Sequence, residues 1–495
     1  MTFLTIVVGC CPLLHATAQT LPEDVSRTLN RFNLSADDVS IEIRDLATGD
    51  TVLRHRASIA RNPASTMKLV TTYAALNILG PGYQWRTEVH TTDDIDANGV
   101  LDGDLILRGG GDPYLVDEEI WRLTQELWRR GLRRITGDIV VDESYFSVPE
   151  VDPGAFDSEP LRAYKVQPNA LLTNFKVVRF WFETVEGSDA VRITMSPNLP
   201  NLAIRNELRS VPGRCRGYLR GIEVDANANA NQVRFKGSFP SGCKRYSLAR
   251  SLLDHDSYAY GLFVSHWRAL GGEIDGDVRR EALVTDQEPL LTWRSRGFSE
   301  LMRLINKNSN NVMTRQVFLT VGAETFGAPA SLAKARDAVN DWLVAKGFNF
   351  PHLLLDNGAG LSRDARFSTA SMCALLVDAW HSPLMPEFQS SLSLSGIDGT
   401  FARRHKQGAL TARAHVKTGR LDDVTALAGY LQAADGRRYA LSVMHNATDV
   451  HRGSGEAVQD AVLRWLYQYQ PVTPEDHQDS ASDVATTAVI SGNSL

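Results

Sequence analysis

The chain has 495 residues, 22% of them charged, and a formal net charge of -6. That length exceeds one ordinary core, so roughly two to four domains are expected. The slightly acidic balance excludes a protein that binds nucleic acid or a membrane surface through a basic face.

The first eighteen residues, MTFLTIVVGCCPLLHATA, are apolar and end in a small-x-small site at Ala16 to Ala18. This is the pattern of a cleaved export signal, although a basic opening is missing. A second reading takes VVGC as a lipoprotein box with Cys10 lipidated; the fuller apolar run favours cleavage after Ala18. No later apolar run reaches the roughly 18 residues that a membrane span needs, so no transmembrane segment is expected in the mature chain.

The next stretch, DVSIEIRDLATGDTVLRHRA, alternates apolar and polar residues on both sides of a TGD turn and predicts a hairpin. RNPASTMKLVTTYAAL, Arg61 to Leu76, predicts a helix stopped at Gly80-Pro81, with Ser65 at its mouth and Lys68 three residues on. Residues 86–285 are richer in short alternating strands, among them VRFWFETV, AVRITMS and NQVRFKGSF. They also contain a low-complexity stretch, DANANANQ, that reads as a loop. Cys215 and Cys243 flank a short polar segment in a chain destined for export, which predicts one disulfide between them. Cys373, in TASMCALLVDAW, falls on the buried face of a helix as a small core hydrophobe.

Toward the C-terminus TARAHVKTG, VTALAGYLQ and RYALSVMHN read as strands, the last two joined across AADGRR with its Asp-Gly turn signal. The helix GEAVQDAVLRWLYQY follows, and residues 471–495 read as a polar, disordered tail. If the N-terminal hairpin and these three strands share one antiparallel sheet of five, with helices on its faces, the fold is α/β (α+β). Residues 19–85 and 286–470 then form one domain, into which 86–285 are inserted.

Residues three apart on a helix are neighbours, so an SxxK pair brings a hydroxyl and an amine together. The lysine can act as base toward the serine once burial lowers its pKa, and the helix N-terminus adds partial positive charge beside the hydroxyl. The chain has three such pairs: Ser65/Lys68, Ser241/Lys244 and Ser331/Lys334. The second sits in a turn beside the predicted disulfide, where no helix would align its side chains; the third opens an amphipathic helix with its lysine among polar residues, and a solvated helix face accounts for it. Two further motifs follow Ser65/Lys68 in order. They are an SxN at Ser309-Asn310-Asn311, at what reads as the start of a second helix, and a KTG at Lys417-Thr418-Gly419 on a predicted edge strand. A KTG has about a one in ten chance of arising once in such a chain. RGGGDP, Arg108 to Pro113, lacks the GK[ST] ending of a phosphate loop and reads as a turn. With no CxxC pair, HExxH or tight His/Asp cluster, no metal or other cofactor is expected.

Ordered SxxK, SxN and KTG are the signature of penicillin-binding proteins and serine β-lactamases. With PASTMKL, DGDLILRGGGDP, DNGAGLSR, SGIDGTF and HVKTG, and with the long gap between SxxK and SxN, residues 25 to 470 resemble a particular group among them. This is the D-alanyl-D-alanine carboxypeptidases/endopeptidases of the class C low-molecular-mass penicillin-binding proteins. The resemblance implies a penicillin-binding, transpeptidase-like domain with inserted β-rich domains and a periplasmic location. It implies peptidoglycan peptides and β-lactam antibiotics as partners, no nucleic acid, and leaves homodimerisation open. It makes Ser65 the nucleophile, Lys68 its base and Ser309 the proton relay to the departing amine. Lys417 tunes that relay, and Asn311 holds Lys68 and the substrate amide. Thr418 binds the terminal carboxylate, Gly419 lets the substrate backbone approach, and the N–H groups of Ser65 and Arg420 form the oxyanion hole. Arg420 departs from the Thr or Ser usual after KTG, and we expect its side chain to add a second carboxylate contact. DNGAGLSR is expected to shape the cleft without supplying catalytic groups. Two rival readings remain. One is a β-lactamase, for which no glutamate motif of the class A kind is evident; the other is a non-catalytic β-lactam sensor or cell-wall scaffold.

Overall fold

A computed structural model describes residues 20–149, 159–216, 221–227, 230–284 and 287–471. The expected export signal and the tail beyond Pro471 lie outside them.

Strands β1 (Val39–Asp45) and β2 (Thr51–His55) form the N-terminal hairpin. The Asp45 carboxylate closes its turn by accepting from the N–H groups of Ala47 and Thr48 at 2.7 and 3.2 Å. A 3₁₀ turn, Ala64–Met67, leads into helix α1 (Lys68–Ile78), in which every residue from Lys68 to Leu76 is buried. A helix apolar on all sides belongs inside a core, and α1 sits there.

The chain then leaves for the middle region. Strands β3 (Arg86–Thr91), β4 (Leu105–Gly109), β5 (Ile139–Asp142), β6 (Val278–Arg280) and β7 (Leu291–Arg294) form one mixed sheet in the order β6-β5-β4-β3-β7. Because β7 pairs with β3, this sheet takes in residues beyond the boundary at 285 read from the sequence. Among the described residues three three-stranded sheets accompany it, the smallest made of Val100–Leu101, Arg134–Ile135 and Glu273–Ile274. Val178–Thr184 lies between Val191–Ser196 and Arg245–Arg250, and Gln232–Pro240 lies between Ala203–Val211 and Ile222–Asn227. The DANANANQ stretch is therefore not simply a loop. Its Asp225–Asn227 and Gln232 are paired in strands, where ladder hydrogen bonds override the low strand propensity of Ala and Asn. Phe235 packs edge-on against Phe180 and Phe182, at centroid distances of 4.9 and 5.2 Å, in a core separate from that of α1. Cys215 and Cys243 are bonded in this region.

Back in the first domain come helices α2 (Phe298–Asn308), α3 (Asn311–Phe326) and α4 (Thr369–His381). Strands β8 (Ser393–Leu394), β9 (Ala414–Leu421), β10 (Val424–Gln432) and β11 (Arg438–Asn446) follow, and then helix α5 (Ser454–Gln468). The sheet order is β8-β9-β10-β11-β1-β2, antiparallel throughout. Six strands thus replace the five expected, because the two residues of β8 are too few for any periodicity to register. Met372 and Leu376 of α4 pack on one face with Ala428 and Met444, and Val462 and Leu466 of α5 pack on the other with Leu427 and Leu441. Covered on both sides, β10 is buried at every position from Val424 to Leu431, which is why it reads as a near-continuous apolar run. Each buried Leu or Val there contributes roughly 1.5–3 kcal/mol relative to exposure. Cys373 lies in this core, fully buried, with its thiol 3.1 Å from the Glu42 carbonyl.

Candidate active site

The turn carrying Ser65, the expected nucleophile, is held from below by two asparagines. Asn62 Oδ1 accepts from the Ala64 N–H at 2.9 Å, and Asn446 Oδ1 accepts from the Asn62 N–H at 2.7 Å. Ala64 itself adopts φ 44°, a strained left-handed conformation for a residue with a Cβ. Such strain persists where the surroundings over-determine it, and here it presents the next residue, Ser65, to the cleft. Ser65 therefore stands in a 3₁₀ turn that precedes the helix, while Lys68 is the first α-helical residue.

Lys68 is fully buried. Its Nζ lies 3.1 Å from Ser65 Oγ, 2.6 Å from Asn311 Oδ1 and 2.5 Å from the Ala359 carbonyl. Burial, with the nearby charges of Lys417 and Arg315, pushes its pKa well below the ordinary lysine value. A neutral amine beside a serine hydroxyl can accept that proton. The third partner corrects the reading of DNGAGLSR: Ala359 in that loop supplies a carbonyl to the lysine itself. The adjacent Gly360 has φ 71°, and a Cβ there would fall 1.9 Å from the Ala64 carbonyl. Only glycine lets this loop close over the nucleophile turn.

Ser309 lies just ahead of α3, so the SxN does span a helix start. It takes the left-handed conformation, φ 55°, as the cap that ends α2, and Asn310 then starts α3 by accepting from the Met313 N–H at 3.0 Å. This tight reversal aims Ser309 and Asn311 into one cleft. Lys417 Nζ donates to Ser309 Oγ at 2.8 Å and to the Thr418 carbonyl at 2.7 Å. Burial brings its pKa down to about 7.

Strict alternation would send Lys417 and Thr418 to opposite faces of β9. The lysine overcomes this by length, for its Nζ reaches both Ser309 Oγ and the Thr418 carbonyl. The strand is also not a plain edge. β8 covers His415 and Val416, and among the described residues Lys417 to Leu421 have no ladder partner on that side. This open stretch packs straight onto the nucleophile turn, for a Cβ at Gly419 would lie 2.8 Å from the Pro63 carbonyl and 3.0 Å from the Ser65 nitrogen.

Two lobes meet at Ser65 and Arg420. One, of about 300 Å³, is walled by Ser309, Thr400, Arg404, Thr418 and Gln459. The other, of about 400 Å³, is walled by Tyr164, Asn311, Leu361, Arg363, Asp422 and His451. Arg420 is exposed, its nearest guanidinium nitrogen 3.8 Å from Glu456 Oε1. Thr418 Oγ1 donates to Thr400 Oγ1 at 2.7 Å. The loop carrying Thr400 is fixed by Lys307, whose ammonium bonds Asp398 Oδ2 and the Leu392 carbonyl, both at 2.7 Å. Sequence reasoning missed Thr400, Ala359 and Arg404, since no motif spacing marks them; SGIDGTF alone contained a hint of the first.

The other SxxK pairs are structural. Ser331 caps a helix by accepting from the Lys334 N–H, and Lys334 Nζ binds the Gly327 and Pro329 carbonyls. Ser241 lies in a short 3₁₀ turn, Ser241–Cys243, that ends in Lys244 at φ 54°. Asp112 of RGGGDP is buried in a turn, accepting from the Tyr114 N–H at 2.8 Å. Among the described residues no helix is long and apolar enough to cross a membrane.

The profile of the D-Ala-D-Ala carboxypeptidase 3 (S13) family matches residues 21–469. The chain belongs to that family. It is thus a serine-type D-Ala-D-Ala carboxypeptidase, with the penicillin-binding-protein fold. It is 28% identical over 485 residues to the D-alanyl-D-alanine carboxypeptidase of Actinomadura sp. (strain R39), covering 94% of this chain and 88% of that protein. It is 27% identical over 382 residues to the D-alanyl-D-alanine carboxypeptidase DacB of Haemophilus influenzae, covering 76% and 78% respectively. The crystal structure of penicillin-binding protein 4 from Haemophilus influenzae superposes on this carboxypeptidase with a TM-score of 0.77 at 24% identity, over 90% of this chain and 99% of the other.

Proposed function

We propose that this S13 carboxypeptidase removes the terminal D-alanine of peptidoglycan stem peptides, and cleaves cross-links, in the periplasm through an acyl-enzyme on Ser65. The observation that carries the reading is Lys68 Nζ, buried and depressed in pKa, lying between Ser65 Oγ and Asn311 Oδ1. Ser65 Oγ attacks the carbonyl between the two D-alanines and its proton passes to Lys68 Nζ. The oxyanion forms against the N–H groups of Ser65 and Arg420. The carbon–nitrogen bond breaks as the departing amine takes a proton through Ser309 Oγ, beside the Lys417 ammonium. Water then hydrolyses the ester on Ser65. The open edge from Lys417 to Leu421 offers backbone groups along which the peptide can lie as an added strand.

A β-lactam enters the same sequence but leaves no small amine to depart, so its acyl-enzyme persists. The penicillin-binding protein 4 solved with a bound β-lactam has this fold, at a TM-score of 0.71. The test is D-alanine release from a soluble acylated tripeptide ending in D-Ala-D-Ala, with peptide mapping of the penicillin adduct. Release together with a lasting adduct on the Ser65 peptide supports the reading. Rapid nitrocefin turnover would favour the β-lactamase, and an adduct without release would favour the sensor.

Thr400 should share the substrate carboxylate with Thr418. Two hydroxyls 2.7 Å apart that bond each other in the free protein can each turn a proton to one carboxylate oxygen. A hydrogen bond to a charged group is worth about 1.5–3 kcal/mol, so Thr400→Val is expected to raise KM for D-Ala-D-Ala peptides about tenfold or more. A substrate amidated at its C-terminus should lose far less, and equal losses on both would discard the assignment.

The second carboxylate contact proposed for Arg420 is separable. Its side chain is exposed and held only loosely toward Glu456. Arg420→Thr is expected to raise KM for D-Ala-D-Ala peptides about twofold to fivefold, within the range for a solvent-screened charge. An unchanged KM would retire that role and leave only the backbone N–H.

A further inference from the structure

A second cleft, of about 550 Å³, opens at the far ends of the helices that carry Lys68 and Asn311. Glu324 on its wall stands 13 residues along α3 from Asn311, roughly 20 Å at 1.5 Å per residue. Tyr83, Arg86, Glu88, Arg108, Tyr145 and Arg294 also line it, so the cleft lies where the first domain meets the sheet of the middle region.

Its charges are arranged at a cost. Arg86 and Arg294 stand directly opposite each other across β3 and β7. Like charges in that position destabilise an antiparallel pair. Both are exposed, and among the described residues neither guanidinium has a hydrogen-bond or ion-pair partner. Arg108, beside them, is only loosely satisfied, 3.6 Å from Glu88 and 3.4 Å from Asp142. On the opposite wall the hydroxyls of Tyr83 and Tyr145 donate to one oxygen of Glu324, at 2.9 and 2.7 Å. They fix that wall in place. Two opposed, unpartnered guanidiniums are a fork for oxyanions, and carboxylate is the planar, bidentate match.

We propose that this cleft binds the carboxylates of a second stem peptide on the same peptidoglycan strand whose first stem peptide occupies the Ser65 cleft. This rests on the function proposed above. Stem peptides carry several free carboxylates and recur along the glycan. With the clefts at opposite ends of α3, Asn311 and Glu324 roughly 20 Å apart along it, capture of a neighbouring stem would therefore become an intramolecular event. Small substrates would not reach both places.

The experiment uses the full chain and the double variant Arg86→Gln/Arg294→Gln, whose exposed side chains can change without disturbing a core. Penicillin acylation and kcat/KM for the soluble tripeptide should stay within about twofold of wild type. KM for solubilised strands bearing several pentapeptide stems should rise about tenfold, short of the roughly hundredfold or more that linking two sites can provide, because Arg108 remains. Fluorescence anisotropy with a labelled strand should give a Kd weakened by the same factor, with no change for a glycan strand stripped of its peptides. A variant that binds and processes stem-bearing strands as wild type does would overturn the cleft. So would displacement of the strand by inorganic phosphate but not by acetate, which would assign the arginines to phosphate. If wild type released no D-alanine from the tripeptide, the proposed function would fall, while the anisotropy measurement would still judge the cleft.

Discussion

Ser65→Ala should abolish both the penicillin adduct and D-alanine release, with acylation reduced by about 10⁴-fold or more, because no other hydroxyl can take its place. Ser309 is the nearest alternative nucleophile, yet its oxygen accepts from Lys417 and is not in contact with Lys68. Ser65 alone combines contact with the lysine base and a seat against the Gly419 strand. Intact mass after benzylpenicillin, on wild type and variant side by side, reads the outcome directly. Folding is a lesser concern because Ser65 is only partly buried and its Oγ contacts only the tip of Lys68. An adduct retained in the variant would move the nucleophile elsewhere.

Lys68→Arg should be nearly as damaging, and more informative. Arginine keeps a positive charge and donors for Asn311 and the Ala359 carbonyl, but it does not deprotonate in proteins. If Lys68 serves as the base, acylation falls by about 10²–10⁴-fold; if it serves only as a fixed cation, much of the rate survives. The pH dependence of wild type gives a second reading. Burial lowers the folded-state pKa of Lys68 well below its unfolded value. The neutral, proton-accepting form therefore persists down to that lowered pKa, and acylation declines as pH falls through it. Wild-type acylation should show this acid limb, and Lys68→Arg should lack it. A flat wild-type profile across the acid range would remove the lysine from the proton-transfer step. The neighbouring Lys417 titrates near neutrality, at about 7, and its charge also holds Lys68 down. The two amines thus titrate as a coupled pair, and the observed limb belongs to both.

Much of the catalytic domain was legible because its signals are local. The TGD hairpin, the SxxK helix and the Asp-Gly turn between the last two strands each rest on a few adjacent residues whose conformational preferences agree. The two-residue strand β8 could not be read that way, and with it went the distinction between a plain edge and an edge left open only over Lys417 to Leu421. Ser309 was legible in part: SNN before an apolar run does mark the start of α3, but only the structure shows that Asn310 is the cap and that the serine ends the preceding helix in the left-handed conformation.

Residue types, their order and the chemistry they can support were determined by the sequence itself: a serine and a lysine one turn apart, an SxN and a KTG following in order, and two cysteines able to pair. These depend on covalent identity and short-range geometry. Only the tertiary structure decided which of three SxxK pairs has its lysine buried against an asparagine 243 residues away. It alone brought the Ala359 carbonyl to that amine and the Thr400 hydroxyl to Thr418. Desolvation and convergence of distant loops are properties of the packed chain. A lysine pKa lowered by burial does not exist until the core that excludes water has closed around it.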